Sequence, residues 1–183
     1  MKVEYLIGIV PPVDYLKRIK HFQNKWARQS SIEPHITVKA QGGLTPDLQW
    51  LEQVKQVCKE AKPFQVDLGK PDEFGDHSLH LSVNSDGLVQ LHQRLVHEIS
   101  PSDDLIKQYF ELDAFVPHLT LGKMQNCVEL LNGQNEQKLQ QLKKIADEEL
   151  TPYPVFNVNF IRIYELNFET YRCEKFEDIS LGQ

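Results

Sequence analysis

The sequence predicts an α+β protein. Alternating and helix-periodic segments follow one another irregularly, and closely spaced alternating segments imply antiparallel hairpins rather than a regular strand–helix repeat. The chain has 183 residues, 40% hydrophobic and 25% charged, which is long enough to bury a core without a disulfide or metal staple.

Residues 2–10 alternate as a first strand, closed by Pro11-Pro12 and followed by Asp14 as a helix N-cap. Leu16, Ile19, Phe22 and Trp26 then recur at helical spacing, with Lys17, Arg18, Lys20 and Lys25 on a solvated face. A strand at 35–40 precedes a helix opened by Thr45-Pro46-Asp47, whose buried stripe is Leu51, Val54, Cys58 and Ala61. Phe64, Val66 and Leu68 pair with Leu79, Leu81 and Val83 as a hairpin, with a long connection at 69–76. Leu88, Leu91, Leu95 and Ile99 mark a helix at 87–99, and 100–117 reads as loop and short turns. A strand at 118–123, a helix at 135–149 and a strand-rich stretch at 154–171 complete the fold.

The opening residues read as a strand rather than a signal peptide, and no apolar run approaches the roughly 20 residues of a membrane span. Cys58, Cys127 and Cys173 are odd in number and widely spaced, which points to a reducing, cytoplasmic setting and against a structural zinc site. The net charge of −6 argues against an extended duplex nucleic acid as partner. Residues 1–40 nevertheless carry seven Lys/Arg against three acids, enough to hold a small anionic group.

Two pentapeptides carry the chemistry: Pro34-His35-Ile36-Thr37-Val38 and Pro117-His118-Leu119-Thr120-Leu121. On a strand, successive side chains point to opposite faces, so each segment turns two apolar residues inward and sets His beside Thr on the other face. Structure alone gives no reason for the same His and Thr to occur twice. Two imidazoles opposed across a phosphorus atom can activate the attacking oxygen and protonate the leaving one, while threonine hydroxyls bond the non-bridging oxygens. Such an apparatus needs no metal and no cofactor. Either histidine can be the base.

With these motifs the chain resembles the two-histidine (2H) phosphoesterase superfamily, which includes the 2′-5′ RNA ligase-like proteins and RNA 2′,3′-cyclic phosphodiesterases. The resemblance implies one bilobal domain over 1–183 with pseudo-twofold symmetry. Two mainly antiparallel sheets meet at a central cleft, with helices outside. It also implies that His35 and His118 are the catalytic pair and that Thr37 and Thr120 bind phosphate. The expected activity is hydrolysis of a 2′,3′-cyclic or related phosphodiester on a nucleotide or RNA end. Joining RNA ends through a 2′-5′ linkage at the same site, or binding without turnover, are the alternatives.

Strand parity adds further candidates. Lys39 shares parity with His35 and is expected to contact phosphate, whereas Lys123 lacks parity with His118. His80 is a candidate substrate contact, and Arg162 with Tyr164 would suit a nucleotide through phosphate pairing and stacking. Phe74 and Phe115 are further candidate stacking residues. His77 and His80 point to opposite faces of a strand, which argues against a shared metal.

Overall fold

Among the described residues, eight strands form one sheet in the order β6-β3-β4-β5-β2-β1-β7-β8, with every neighbouring pair antiparallel. The strands are β1 (Val3–Ile9), β2 (Ile36–Lys39), β3 (Phe64–Phe74), β4 (Ser78–Asn84), β5 (His118–Lys123), β6 (Val155–Val158), β7 (Phe160–Asn167) and β8 (Arg172–Ser180). The helices are α1 (Val13–Trp26), α2 (Leu51–Glu60), α3 (Asp86–Ile99), α4 (Asp103–Gln108) and α5 (Asn135–Leu150), with a 3₁₀ turn at Leu112–Ala114. The computed structural model describes residues 3–27, 32–74, 78–123, 131 and 133–182. Cys127 and His77 lie outside them.

The two expected half-sheets are continuous with each other. They join at β2 and β5 through one registered pair, Ile36 opposite Leu119, both fully buried. Burying these side chains contributes roughly 1.5–3 kcal/mol each, so the seam is held by packing more than by its ladder. The helices cross it. α1 and α5 pack over β5, β4 and β3, α2 packs over β8, and α3 packs over both β2 and β3.

Several boundaries differ from those read in the sequence. Pro12 occupies the α1 cap, and Asp14 sits in the first turn near the positive end of the dipole. Residues 45–50 form turns before α2, with Asp47 Oδ1 accepting from the Thr45 hydroxyl and the Gln49 amide. The 69–76 connection is largely strand. β3 continues to Phe74 across an irregularity between Leu68 and Pro71 that absorbs Gly69 and Lys70. β8 extends the sheet past the expected end of the fold; its charged, largely exposed residues show no alternation because it is an edge.

α3 begins where Ser85 Oγ accepts from the Leu88 amide, a cap that stabilises a helix by about 1 kcal/mol. Its buried Leu88, Leu91 and Leu95 follow the stripe read in the sequence. Cys58 lies in the core, fully buried, and burial pushes its thiol up to about 12. No helix among the described residues is long and apolar enough to cross a membrane.

Candidate active site

The two motif strands share an irregularity. On the first, Ile36, Thr37 and Lys39 stand opposite Ile9, Gly8 and Ile7, leaving Val38 as an extra residue. On the second, Leu119, Thr120 and Gly122 stand opposite Leu81, His80 and Leu79, leaving Leu121 as the extra residue. A bulge therefore follows the threonine in both copies. Each bulge carbonyl is caught by a helix rooted in the other half of the chain. His92 Nδ1 of α3 donates to Val38 O at 2.6 Å, and Gln23 Nε2 of α1 donates to Leu121 O at 3.2 Å.

The histidines are held alike. His35 Nδ1 lies 2.7 Å from Glu33 O, and His118 Nδ1 lies 2.8 Å from Val116 O. A carbonyl only accepts, so each Nδ1 carries its proton and Nε2 is left as the atom that can take or give another. In both copies the accepting carbonyl sits one residue before the motif proline. Gly8 leaves room for the first ring, since a Cβ there would stand 3.0 Å from His35 Cδ2.

His35, Thr37, His118 and Thr120 line one cavity of about 300 Å³, whose wall also includes Gln23, Glu33 and Lys123. Burial holds the His35 imidazole below its usual pKa, and the nearby His118 charge lowers it further. The bond to Glu33 O and the Glu33 charge oppose this. The net effect favours neutral His35, the form that accepts a proton. Among the described residues no three His, Cys, Asp or Glu side chains cluster so as to hold a metal ion.

The sequence profile of the 2′-5′ RNA ligase superfamily matches residues 11–165. The chain belongs to this superfamily. Solved structures of similar fold include a protein described as a phosphoesterase, 15% identical over 100% of both chains with a TM-score of 0.64. TT0787 of Thermus thermophilus is 13% identical over 98% of both chains with a TM-score of 0.65. LigT of E. coli, solved with 3′-AMP, is 15% identical over 100% of both chains with a TM-score of 0.64. No curated protein sequence matches the chain.

Other expected contacts of this superfamily member require correction. Lys39 does not face the cavity. The bulge at Val38 breaks the alternation and turns Lys39 to the Ile7 side, where it is fully buried. Its Nζ donates to Glu111 Oε1 at 2.7 Å and Oε2 at 3.0 Å, and to Gly42 O and Ala40 O. Burial pushes the Lys39 ammonium down and the Glu111 carboxyl up in pKa, while their mutual attraction opposes both shifts. The equivalent bulge at Leu121 gives Lys123 the parity that Lys39 loses, so Lys123 is the lysine on the cavity wall.

Arg162 and Tyr164 line the neighbouring cavity, of about 420 Å³, rather than the one holding both histidines. Arg162 Nε and Nη2 bond Asp178, and its Nη1 bonds Glu33 Oε1 at 2.9 Å. Tyr164 donates to the same Glu33 oxygen at 2.9 Å, and its ring centroid lies 5.2 Å from that of His35. Together they clamp the residue whose carbonyl holds His35. His80 is buried, packs edge-on against His118 at 5.3 Å, and lines neither histidine-bearing cavity. The supporting residues Glu33, Glu111, His92 and Gln23 carry no motif.

Proposed function

We propose that the protein is a metal-independent phosphodiesterase that hydrolyses a 2′,3′-cyclic or related phosphodiester on a nucleotide or RNA end. The observation that carries this reading is the pair of imidazoles, each tied at Nδ1, facing one cavity with two threonines. One Nε2 takes a proton from water as its oxygen bonds phosphorus. The other donates a proton to the ribose oxygen as its bond to phosphorus breaks. Thr37 and Thr120 donate to the non-bridging oxygens. Its neutral state suits His35 to the base role. A nucleotide substrate is in keeping with the structurally similar LigT having been solved with 3′-AMP. We place the reaction in the cytoplasm, in keeping with the described cysteines, Cys58 and Cys173, being unpaired.

The test is a product assay in EDTA with short RNA ending in a 2′,3′-cyclic phosphate and with the four cyclic mononucleotides. The wild type should turn over at least one of them, and the His35→Ala/His118→Ala double variant none. Absence of wild-type turnover on all these substrates rejects the reading.

The pH dependence is a second check. The kcat/KM profile should be bell-shaped between roughly pH 5 and 8. Because burial lowers the His35 pKa, its neutral form persists to lower pH, so the acid limb should fall below about 6.5. A monotonic profile through this window contradicts a two-imidazole scheme.

A further inference from the structure

Registered residues carry the face of the first motif across four strands. Thr37 of β2 stands opposite Gly8 of β1, Gly8 opposite Arg162 of β7, and Arg162 opposite Asp178 of β8. Directly opposed residues share a face of the sheet, so Arg162 and Asp178 lie on the face of Thr37. Gly8 is the gap in this row, and the His35 ring takes the room it leaves. In the second copy the place of Gly8 belongs to His80, which stands opposite Thr120, with Asp72 next in the row. The two copies thus agree at the motif and differ in what the neighbouring strands set beside it.

Beside His35 stands a network of charge centred on Glu33. Its carbonyl accepts from His35 Nδ1 at 2.7 Å, and its Oε1 accepts from Arg162 Nη1 and the Tyr164 hydroxyl, both at 2.9 Å. Lys20 of α1 stands 3.8 Å from the other carboxylate oxygen. Arg162 is fixed from behind: Nε and Nη2 bond the two oxygens of Asp178 at 2.7 and 2.9 Å, and Lys175 bonds Asp178 at 2.6 Å. A guanidinium forked onto one carboxylate presents its remaining edge in a set direction. Cys173 of β8, on the same wall, stays a neutral thiol, because burial and then the Glu33 charge push it up to about 11. Across the cavity stands His118. Val116, whose carbonyl holds His118, has an apolar side chain that is 52% exposed and can take no such anchor.

We propose that Glu33 and Arg162 are positioning residues for His35, a charge-balanced clamp that fixes its ring and keeps it free to accept a proton. The inference rests on the phosphodiesterase reading above and adds what sets this imidazole apart from His118. Holding the Glu33 side chain holds its carbonyl, and through Nδ1 that fixes the direction in which Nε2 points. The two charges of the clamp act on an imidazolium in opposite senses. The Glu33 carboxylate favours it, and the Arg162 guanidinium disfavours it. Paired, they leave burial as the largest influence, and burial keeps the ring neutral. A carboxylate left unpaired beside the ring would instead hold a proton on it and weaken it as a base.

The test is an NMR titration of the His35 ring in the full chain, its signal being the one lost in His35→Ala, with kcat and KM on the cyclic substrates measured alongside. Glu33→Gln keeps an oxygen for Arg162 and Tyr164 but removes the charge, so His35 should titrate at lower pH than in the wild type. Arg162→Met leaves the Glu33 charge unbalanced, so His35 should titrate at higher pH. In that variant kcat should also fall roughly ten- to a hundredfold with KM little changed. Tyr164→Phe alters no charge and should leave the titration in place. Variants that merely loosen the fold would not move the titration in opposite directions. An unmoved titration in both charge variants, shifts of the same sign, or a rise in KM without a fall in kcat overturns the proposal. The titration is read without turnover. Opposite shifts in an inert protein therefore reject the phosphodiesterase and keep the clamp, while turnover with an unmoved titration does the reverse.

Discussion

Replacing His118 or His35 by alanine should lower turnover at least about a hundredfold while the protein remains folded. General acid or base catalysis is worth roughly 10²–10⁴ in rate, and each imidazole is the sole group placed to move one of the two protons in the proposed scheme. Both rings are half-buried, and among the described residues each has a hydrogen bond to a carbonyl two residues earlier. Truncation leaves one carbonyl acceptor to water and removes ring contacts at the cavity wall, with Tyr164 for His35 and with His80 and Phe74 for His118. Thr37→Ala and Thr120→Ala should each cost less, on the order of ten- to a hundredfold, because each removes one donor to the phosphate. Single-turnover rates with circular dichroism on the same samples make the measurement. Wild-type activity in either histidine variant removes that residue from the mechanism.

Glu111→Ala should destabilise the fold by roughly 3–5 kcal/mol. The carboxylate is 3% exposed and the Lys39 side chain it pairs with is fully buried, so truncation strands an ammonium away from water. The carbonyls of Gly42 and Ala40 would still accept from Nζ but carry no charge to balance it. Lys39→Met should be costly for the mirror-image reason, because the Glu111 carboxylate then keeps just the Ala40 amide. Removing both charges together, as Lys39→Met/Glu111→Leu, should recover most of the loss, since apolar replacements of a buried pair are often near neutral. Urea midpoints of the three variants decide the matter. A Glu111→Ala protein as stable as wild type would show that the ion pair does not stabilise the fold.

The paired motifs were legible because strand parity is local: Ile36 and Leu119 are buried while His35, Thr37, His118 and Thr120 reach the cavity. The same rule misplaced both lysines, because a one-residue bulge after each threonine inverts parity and leaves no mark in the sequence. Other features were invisible for a different reason. Glu111 meets Lys39 across 72 residues, Arg162 meets Glu33 across 129, and His92 meets Val38 across 54, and no local pattern encodes such pairings. β8 escaped notice because an edge strand with one thinly covered face need not alternate.

The reciprocal bonds from Gln23 to Leu121 O and from His92 to Val38 O make the halves mutually dependent. Severed from each other, each half would keep a bulge carbonyl whose donor had left with the other fragment, along with a half-sheet stripped of one covering helix. The two halves are thus not two beads on a string but one interlocked unit.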